Sequence, residues 1–426
     1  MNNRNKGVVP ALRFPEFDNM EGWRLAPLKK LASRRTERNR DGELSLVLTN
    51  SAEHGVVNQR DYFDKDIANQ GKLENYFVVN KGDYVYNPRI SAFAPVGPIS
   101  KNTVGNGVMS PLYTVFRFKH SDSDFYTHYF KSSAWHSYMR QVGSTGARHD
   151  RMAITNNDFM AMPLPVPPLE EQRKIANCLS SLDDLIVVHT KKHEALQSYK
   201  KGLMQNLFPI NGDTLPSLRL PEFTTKSEWE SIQFGKCVSK SFYGTSKSTS
   251  EMGLYPVLRM GNMANGKIDI TNLVYIDLED GEFSKIRLNR GDILFNRTNS
   301  PDLVGKVSIF EFDEDFITAS YIVTFRLNTN VLLPEFANQL LNTGYYQSLI
   351  KGLATRAVSQ ANINPSRLKE ELIICIPKLP EQKKIADCLS SVDEIIAEQS
   401  YKVNKLKSHK KGLMQQLFSV KDKEGK

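Results

Sequence analysis

Glu171-Gln172-Arg173-Lys174-Ile175-Ala176-Asn177-Cys178-Leu179-Ser180-Ser181 returns 210 residues later as Glu381-Gln382-Lys383-Lys384-Ile385-Ala386-Asp387-Cys388-Leu389-Ser390-Ser391. The offset persists at Lys200-Lys201-Gly202-Leu203-Met204-Gln205 and Lys410-Lys411-Gly412-Leu413-Met414-Gln415, and 22 of the 38 pairs between 171–208 and 381–418 are identical. Agreement this dense marks a duplication, and a duplicated chain predicts a molecule with two equivalent ends.

Within each copy apolar residues recur at alternating steps of four and three. The first series is Ile175, Leu179, Leu182, Ile186, His189, His193, Leu196, Lys200, Leu203 and Leu207; the second is Ile385, Leu389, Val392, Ile396, Gln399, Val403, Leu406, Lys410, Leu413 and Leu417. This is the heptad spacing of a helical seam, and at 1.5 Å per residue such a helix is roughly 57 Å long. Prolines between Pro163 and Pro168, and between Pro377 and Pro380, mark where each helix begins. A heptad helix needs a partner, and the nearest one is the copy in the same chain. The expectation is an intramolecular antiparallel coiled coil with pseudo-two-fold symmetry, carrying a globular domain at each end. His189, Gln399, Lys200 and Lys410 interrupt the apolar seam and would set register at some cost in stability. Two unconnected surface helices are the simpler alternative.

The duplication extends beyond the helices. Leu12-Arg13-Phe14-Pro15-Glu16-Phe17 and Trp23 recur as Leu218-Arg219-Leu220-Pro221-Glu222-Phe223 and Trp229, now at an offset of 206. Between these landmarks the halves diverge, yet Lys81-Gly82-Asp83-Tyr84-Val85-Tyr86-Asn87 matches Arg290-Gly291-Asp292-Ile293-Leu294-Phe295-Asn296, and Val115-Phe116-Arg117-Phe118 matches Thr324-Phe325-Arg326-Leu327. A unit of about 210 residues is a duplicated domain and not a solenoid repeat. Short β-rich runs with turn signals alternate with helical patterns at Phe125 to Val142 and Glu335 to Leu353, which predicts an α/β or α+β domain in each half.

Composition adds bounds. The 426 residues and 40% apolar content suffice for several cores. No apolar run approaches the roughly 18 residues of a membrane span, and Met1 to Lys6 lead into no apolar signal segment. Cys178 and Cys388 occupy matching helical positions and fit buried small residues better than a disulfide framework, so a reducing cytoplasm is the expected setting. The net charge of +9 raises the prospect of a polyanionic partner.

Catalytic constellations are missing from the sequence. Gly105-x-Gly107 has Ser110 where a dinucleotide loop needs its third glycine. No phosphate loop of the Walker type and no zinc spacing occurs. Pro301-Asp302 lacks the acidic-x-Lys triplet of a nuclease, and Asn87-Pro88-Arg89 has arginine where an adenine methyltransferase motif has proline. His149 beside Asp150 reads as a solvated loop pair. The expectation is a chain with no catalytic residues and no metal site.

The Leu-Arg-Phe-Pro-Glu-Phe opening, the proline-rich run into Leu169-Glu170-Glu171-Gln172-Arg173-Lys174-Ile175-Ala176, the closing Lys-Lys-Gly-Leu-Met-Gln and the duplication together resemble the specificity subunit of type I restriction-modification systems. The resemblance covers essentially the whole chain. It implies target-recognition domains over 1–165 and 211–375, and conserved helical spacers over 166–210 and 376–426 whose helices run 169–208 and 379–418. It also implies the partners: double-stranded DNA with a bipartite, asymmetric target, two modification subunits that methylate adenine N6, and, in the full complex, restriction subunits. S-adenosylmethionine, ATP and magnesium would belong to those partners, with no cofactor in this chain. Helix length would set the spacing between half-sites, and apolar positions off the seam would face the modification subunits. A stand-alone methyltransferase or endonuclease, and a coiled-coil adaptor that binds only protein, are the alternatives.

Base reading needs donors and acceptors on polar loops. The candidates are Asn87 and Arg89 in the first half, with Asn296, Arg297, Thr298 and Asn299 at the matching place in the second. A second pair of loops contributes Ser144, Arg148 and Arg151, and Arg356, Ser359 and Gln360. Arg259 and Asn262 are further candidates, with Asn50, Ser51 and His54 in the comparable stretch. Tyr243, Lys247 and Lys306 are candidates for phosphate contact, and Lys191-Lys192, Lys200-Lys201 and Lys410-Lys411 either approach the DNA backbone or simply cover the helices. The plainer reading of the loops is polar turns with local hydrogen bonds.

Overall fold

The computed structural model describes residues 7–63, 70–145, 150–210, 212–356 and 360–419. The chain packs into two units, residues 1–189 with 402–426, and residues 190–401. The division runs through the two long helices, α1 (Leu169–Leu207) and α2 (Leu379–Phe418), so each unit owns the start of one and the end of the other.

Each unit is built on an antiparallel four-stranded sheet. In the first, β1 (Ala32–Arg35), β2 (Tyr84–Tyr86), β3 (Ile99–Lys101) and β4 (Thr114–Phe118) lie in the order β1-β4-β2-β3. In the second, β5 (Val238–Tyr243), β6 (Ile293–Asn296), β7 (Val307–Ile309) and β8 (Ile322–Leu327) lie in the order β5-β8-β6-β7. The order is the same, and the antiparallel pairing places the domains in the α+β class. The helical patterns near 125 and 335 each resolve into two short helices, Asp124–Tyr129 with His136–Val142, and Pro334–Leu341 with Gly344–Gly352. The halves part company elsewhere: a hairpin of Leu48–Ser51 and Gly55–Asn58 in the first, and a three-stranded sheet centred on Tyr255–Leu258 in the second.

The landmark residues that survived divergence meet one another. Arg13 makes two hydrogen bonds of 2.7 Å to Glu171, and its side chain and that of Glu171 are 4% and 0% exposed. Arg219 makes the same fork to Glu381 at 2.8 Å on both arms. Glu171 and Glu381 sit in the first helical turn, where the backbone dipole also favours a carboxylate. Gln172 and Gln382 turn back to donate to the Pro167 and Pro377 carbonyls, fixing the chain as it enters each helix. The same leader segment reaches the other helix, since Leu12 N–H donates to Gln416 O at 3.1 Å and Leu218 N–H to Asn206 O at 2.8 Å. In both halves it therefore joins the start of one long helix to the end of the other.

A second repeated pair braces each sheet. Asp83 receives Arg117 at 2.6 Å, and Asp292 receives Arg326 through both oxygens. Asp83 Oδ2 also accepts the N–H of Asn80, and Asp292 Oδ2 that of Asn289, closing the turn that precedes β2 or β6.

Long-helix pairing is visible inside each unit. In the first, Ile175 and Leu179 share an aromatic core with Leu417 and Phe418, while Asp183 further along α1 pairs with Lys410 earlier in α2. The segments therefore run antiparallel. In the second unit Ile385 and Leu389 share a core with Leu207 and Phe208, and Asp393 pairs with Lys200 at 2.8 Å. These are the same two positions of the repeat, so the seam lysines hold register by ion pairs. All the seam residues are buried or half-buried.

One contact breaks the symmetry. Where Gln339 donates to Asp393 at 3.2 Å, the first unit has His128, whose Nε2 lies 3.0 Å from Ser180 Oγ and whose Nδ1 lies 4.0 Å from Asp183. Burial chiefly, with Lys410 and Lys131, pushes its pKa down to about 4 against the opposing pull of Asp183 and Asp124.

Two predictions follow from these contacts. Arg13→Ala leaves a buried carboxylate unpaired and destabilises the protein by about 3–5 kcal/mol in denaturant unfolding, whereas replacing Arg13 and Glu171 together by apolar residues costs less; equal losses contradict the clamp. His128 has a depressed folded pKa, so the stability it supports is full above its ordinary value of 6.5 and is lost as pH falls towards about 4. The stability difference between wild type and His128→Gln should therefore shift by about 3 kcal/mol across that window, and a difference independent of pH contradicts the assignment.

Candidate nucleic-acid interface

The loops singled out in sequence converge at one end of each four-stranded sheet. In the first unit β2 runs into Asn87, whose Nδ2 donates to Asn50 O at 2.9 Å and whose Oδ1 accepts from Arg89 N–H at 3.0 Å. Asn50 in turn donates to the carbonyls of Val85 and Pro98, tying the hairpin to the same loop. Gly97, at φ +81°, closes the loop so tightly that a Cβ there would meet Asn87 O at 2.1 Å. The second loop then docks: Met152 N–H donates to Pro88 O, Ile90 N–H donates to Asp150 O, and Arg89 faces Arg151 across an antiparallel bridge. A cleft of about 400 Å³ results, lined by Asn50, Tyr62, Phe63, Arg89, Tyr113 and Arg151 among others.

The second unit repeats this backbone. Asn296 Oδ1 accepts from Thr298 N–H at 3.2 Å, Ile363 N–H donates to Arg297 O at 2.8 Å, and Thr298 faces Asn362. Arg297 N–H donates to Tyr321 O, whose ring lies beside the Arg259 loop. The facing pair is two guanidiniums in one unit and a hydroxyl and an amide in the other.

Several candidates hold loops instead of presenting groups, which corrects the sequence expectation. Asn87, Asn262 and Asn296 are 9%, 4% and 0% exposed, too buried to reach a base edge. Asn262 spends its amide on Asp269 O and Asn272 O and its oxygen on Arg259 N–H. Asn50 and Ser51 are likewise buried. Lys200 and Lys410 are committed to the helix seam. Lys247 is paired with Glu282 at 2.5 Å, and Lys306 is half-buried with its ammonium on Met263 O.

The remaining candidates are accessible. Arg89 is 64% exposed and Arg151 38%, while Arg259, Arg297, Thr298 and Asn299 are half-buried at the surface. Ser144 is exposed on a two-residue strand opposite Ala153, and Gln360 is exposed beside Ala361. Arg356 pairs with Ala361 through its backbone. Arg148, Ser359 and also His149 lie outside the described residues. His54 and Tyr243 are exposed, and the Arg297 guanidinium lies 5.4 Å from the Tyr243 ring centre. Sequence reading missed Asn362, which accepts from both Arg297 and Thr298 at 3.2 Å. Counted back from the starts of Asn156–Ala161 and Pro365–Glu371, Asn362 aligns with Ala153 and not with Arg151, so spacing alone carries no signal for it.

These loops carry polar atoms that are buried yet have no hydrogen-bond partner among the described residues: Asn50 Oδ1, Asp150 Oδ1 and Arg151 Nε in one unit, Asn296 Nδ2 and Arg297 Nε in the other. Buried polar groups normally find a partner.

A family model described as the type I restriction modification DNA specificity domain matches residues 55–198 and 227–408, most of the chain. The putative type I restriction enzyme MjaX specificity subunit of Methanocaldococcus jannaschii is 37% identical over 177 residues, 41% of this chain and 41% of that relative. The type I restriction enzyme EcoKI specificity subunit of Escherichia coli K12 is 23% identical over 297 residues, 68% of this chain and 61% of that relative. Among solved structures, the type I restriction-modification S subunit from M. genitalium superposes with a TM-score of 0.57 at 13% identity, covering 97% of this chain and 99% of that one. The model covers both halves of the duplication, and the solved S subunit shares the fold along nearly the whole chain: the chain belongs to the type I restriction modification DNA specificity family.

Proposed function

We propose that the chain is the non-catalytic DNA-specificity subunit of a type I restriction-modification complex, in which each unit reads one half of an asymmetric bipartite site. The observation that carries this reading is the pair of loop clusters: one backbone frame, with Arg89 facing Arg151 in one unit and Thr298 facing Asn362 in the other. A common frame suits a common docking geometry, and different side chains suit different sequences. The net charge of +9 favours association with a polyanion.

In this reading the long helices set the number of unread base pairs between half-sites and dock two modification subunits, with restriction subunits joining in the full complex. Leu185, Val187, Val188 and Ile395 are 46%, 50%, 60% and 48% exposed off the seam and are among the apolar positions available for such docking. Adenine methylation with S-adenosylmethionine, and ATP- and magnesium-dependent steps, belong to the partners. The four free cysteines fit a cytoplasmic setting.

Replacing residues 10–165 by another recognition domain should change one half of the methylated motif, mapped by single-molecule sequencing of host DNA, and leave the other half and the spacing intact. Deleting seven residues from each long helix should shorten the spacing. Binding of the complex to its site should also fall steeply with salt as counterions are released. A domain exchange that alters both halves or neither, or an unaltered spacing in the shortened protein, contradicts the proposal.

A further inference from the structure

The facing pairs differ in charge, yet at or beside each bridge lies an arginine with donors that find no hydrogen-bond acceptor among the described residues: Arg89 and Arg151 in the first unit, and Arg297, next to Thr298, in the second. In the first unit Arg89 and Arg151 converge on one carboxylate, with Arg89 Nη2 3.8 Å and Arg151 Nε 3.9 Å from Asp150 Oδ2. Both distances exceed hydrogen-bond length. Two cations against one anion leave the site positive, and Arg151 Nε is buried without a partner. In the second unit Arg297, like Arg259, takes no ion pair among the described residues, whereas Arg219, Arg287, Arg290, Arg326 and Arg367 all do. Its Nη1 donates to Asn362 Oδ1 at 3.2 Å, its plane lies by the Tyr243 ring, and its Nε is also buried without a partner.

The two arrangements differ in how the arginine is held. Arg297 is oriented by neutral groups, an amide oxygen and an aromatic face, which fix the fork without neutralising it. Thr298 donates to the same Asn362 oxygen and locks that amide in turn. Arg89 and Arg151 are instead kept apart by Asp150 between them. With Arg151 Nε and Arg297 Nε buried, the groups left to meet a ligand are the Nη ends, and Arg89 Nη2 and Arg297 Nη2 make no hydrogen bond among the described residues. A planar fork of donors matches a pair of adjacent acceptors, and in duplex DNA that pair is O6 and N7 of guanine in the major groove.

We infer that each half-site contains a G·C pair at the position this bridge faces, read by Arg297 in the second unit and by Arg89 or Arg151 in the first, with Asn362 and Tyr243 positioning Arg297. The inference rests on the proposed reading of DNA and specifies one base in each half. Phosphate oxygens offer the same acceptor chemistry, and the test separates the two sources.

The full chain, in the complex that methylates host DNA, first yields the motif by sequencing of methylated adenine; a half-site without a G·C pair overturns the inference for that half. Duplexes carrying 7-deazaguanine at the pair lack the N7 acceptor and should bind the unaltered protein at least about fivefold more weakly. Arg297→Lys keeps the charge but loses the fork; it should accept other bases at one position of the second half-site and become indifferent to 7-deazaguanine there. Arg89→Lys or Arg151→Lys should do the same in the first half only. Unchanged binding to 7-deazaguanine, or lysine variants that weaken binding to every sequence alike while keeping the motif, identifies phosphate contact and overturns the inference. Exchange of residues 10–165 reports separately on the functional reading, so a normal exchange with a failed guanine test removes this inference alone.

Discussion

The buried fork from Arg13 to Glu171, repeated from Arg219 to Glu381, is the interaction on which the architecture depends. Taking two charges out of water is costly and is offset only by close geometry with every donor used. Here the arginine donates to both carboxylate oxygens and also to a backbone carbonyl, Met20 O in the first unit. The carboxylate sits in the first turn of a long helix, and the arginine sits in a leader segment that also bonds to the end of the other long helix. One contact therefore fixes the start of one helix against the finish of the other. Its two occurrences, with the Asp183–Lys410 and Lys200–Asp393 pairs, explain why these residues stayed alike while the domains around them diverged.

The sheets follow the same logic at smaller scale. The Asp–Arg braces close the turn before β2 and β6, so those strands end at the same place in each unit and deliver Asn87 or Asn296 to the same buried position. Those asparagines shape the loop, and the residues beyond them are free to differ. Buried polar groups conserve the frame, and exposed ones carry the difference between the units.

Much of this was legible from spacing. The duplication, the heptad seam and the start of each helix depend on periodicity and proline placement, which are local properties. The role of Arg13 was not legible, because its partner lies 158 residues away and a Leu-Arg-Phe-Pro turn looks like any surface turn. The loops stand out in the sequence as polar, glycine-punctuated segments, but composition does not say which side chains turn inward. Asn87, Asn262 and Asn296 satisfy backbone groups, whereas Arg89, Arg151 and Arg297 stay at the surface, and only the close approach of chain segments distant in sequence decides between these fates. Asn362 escaped notice because its importance comes from facing Thr298 across a bridge between segments more than sixty residues apart.

The two units share a symmetric frame and differ in the surfaces they read with. Exchanging the globular segments 10–165 and 216–375 within one chain, with both helices left in place, tests this most directly. The methylated bipartite motif should be unchanged, because each segment meets an equivalent helix pair and the same two half-sites are read from the opposite strand. A different motif or spacing from a folded, active complex would contradict it.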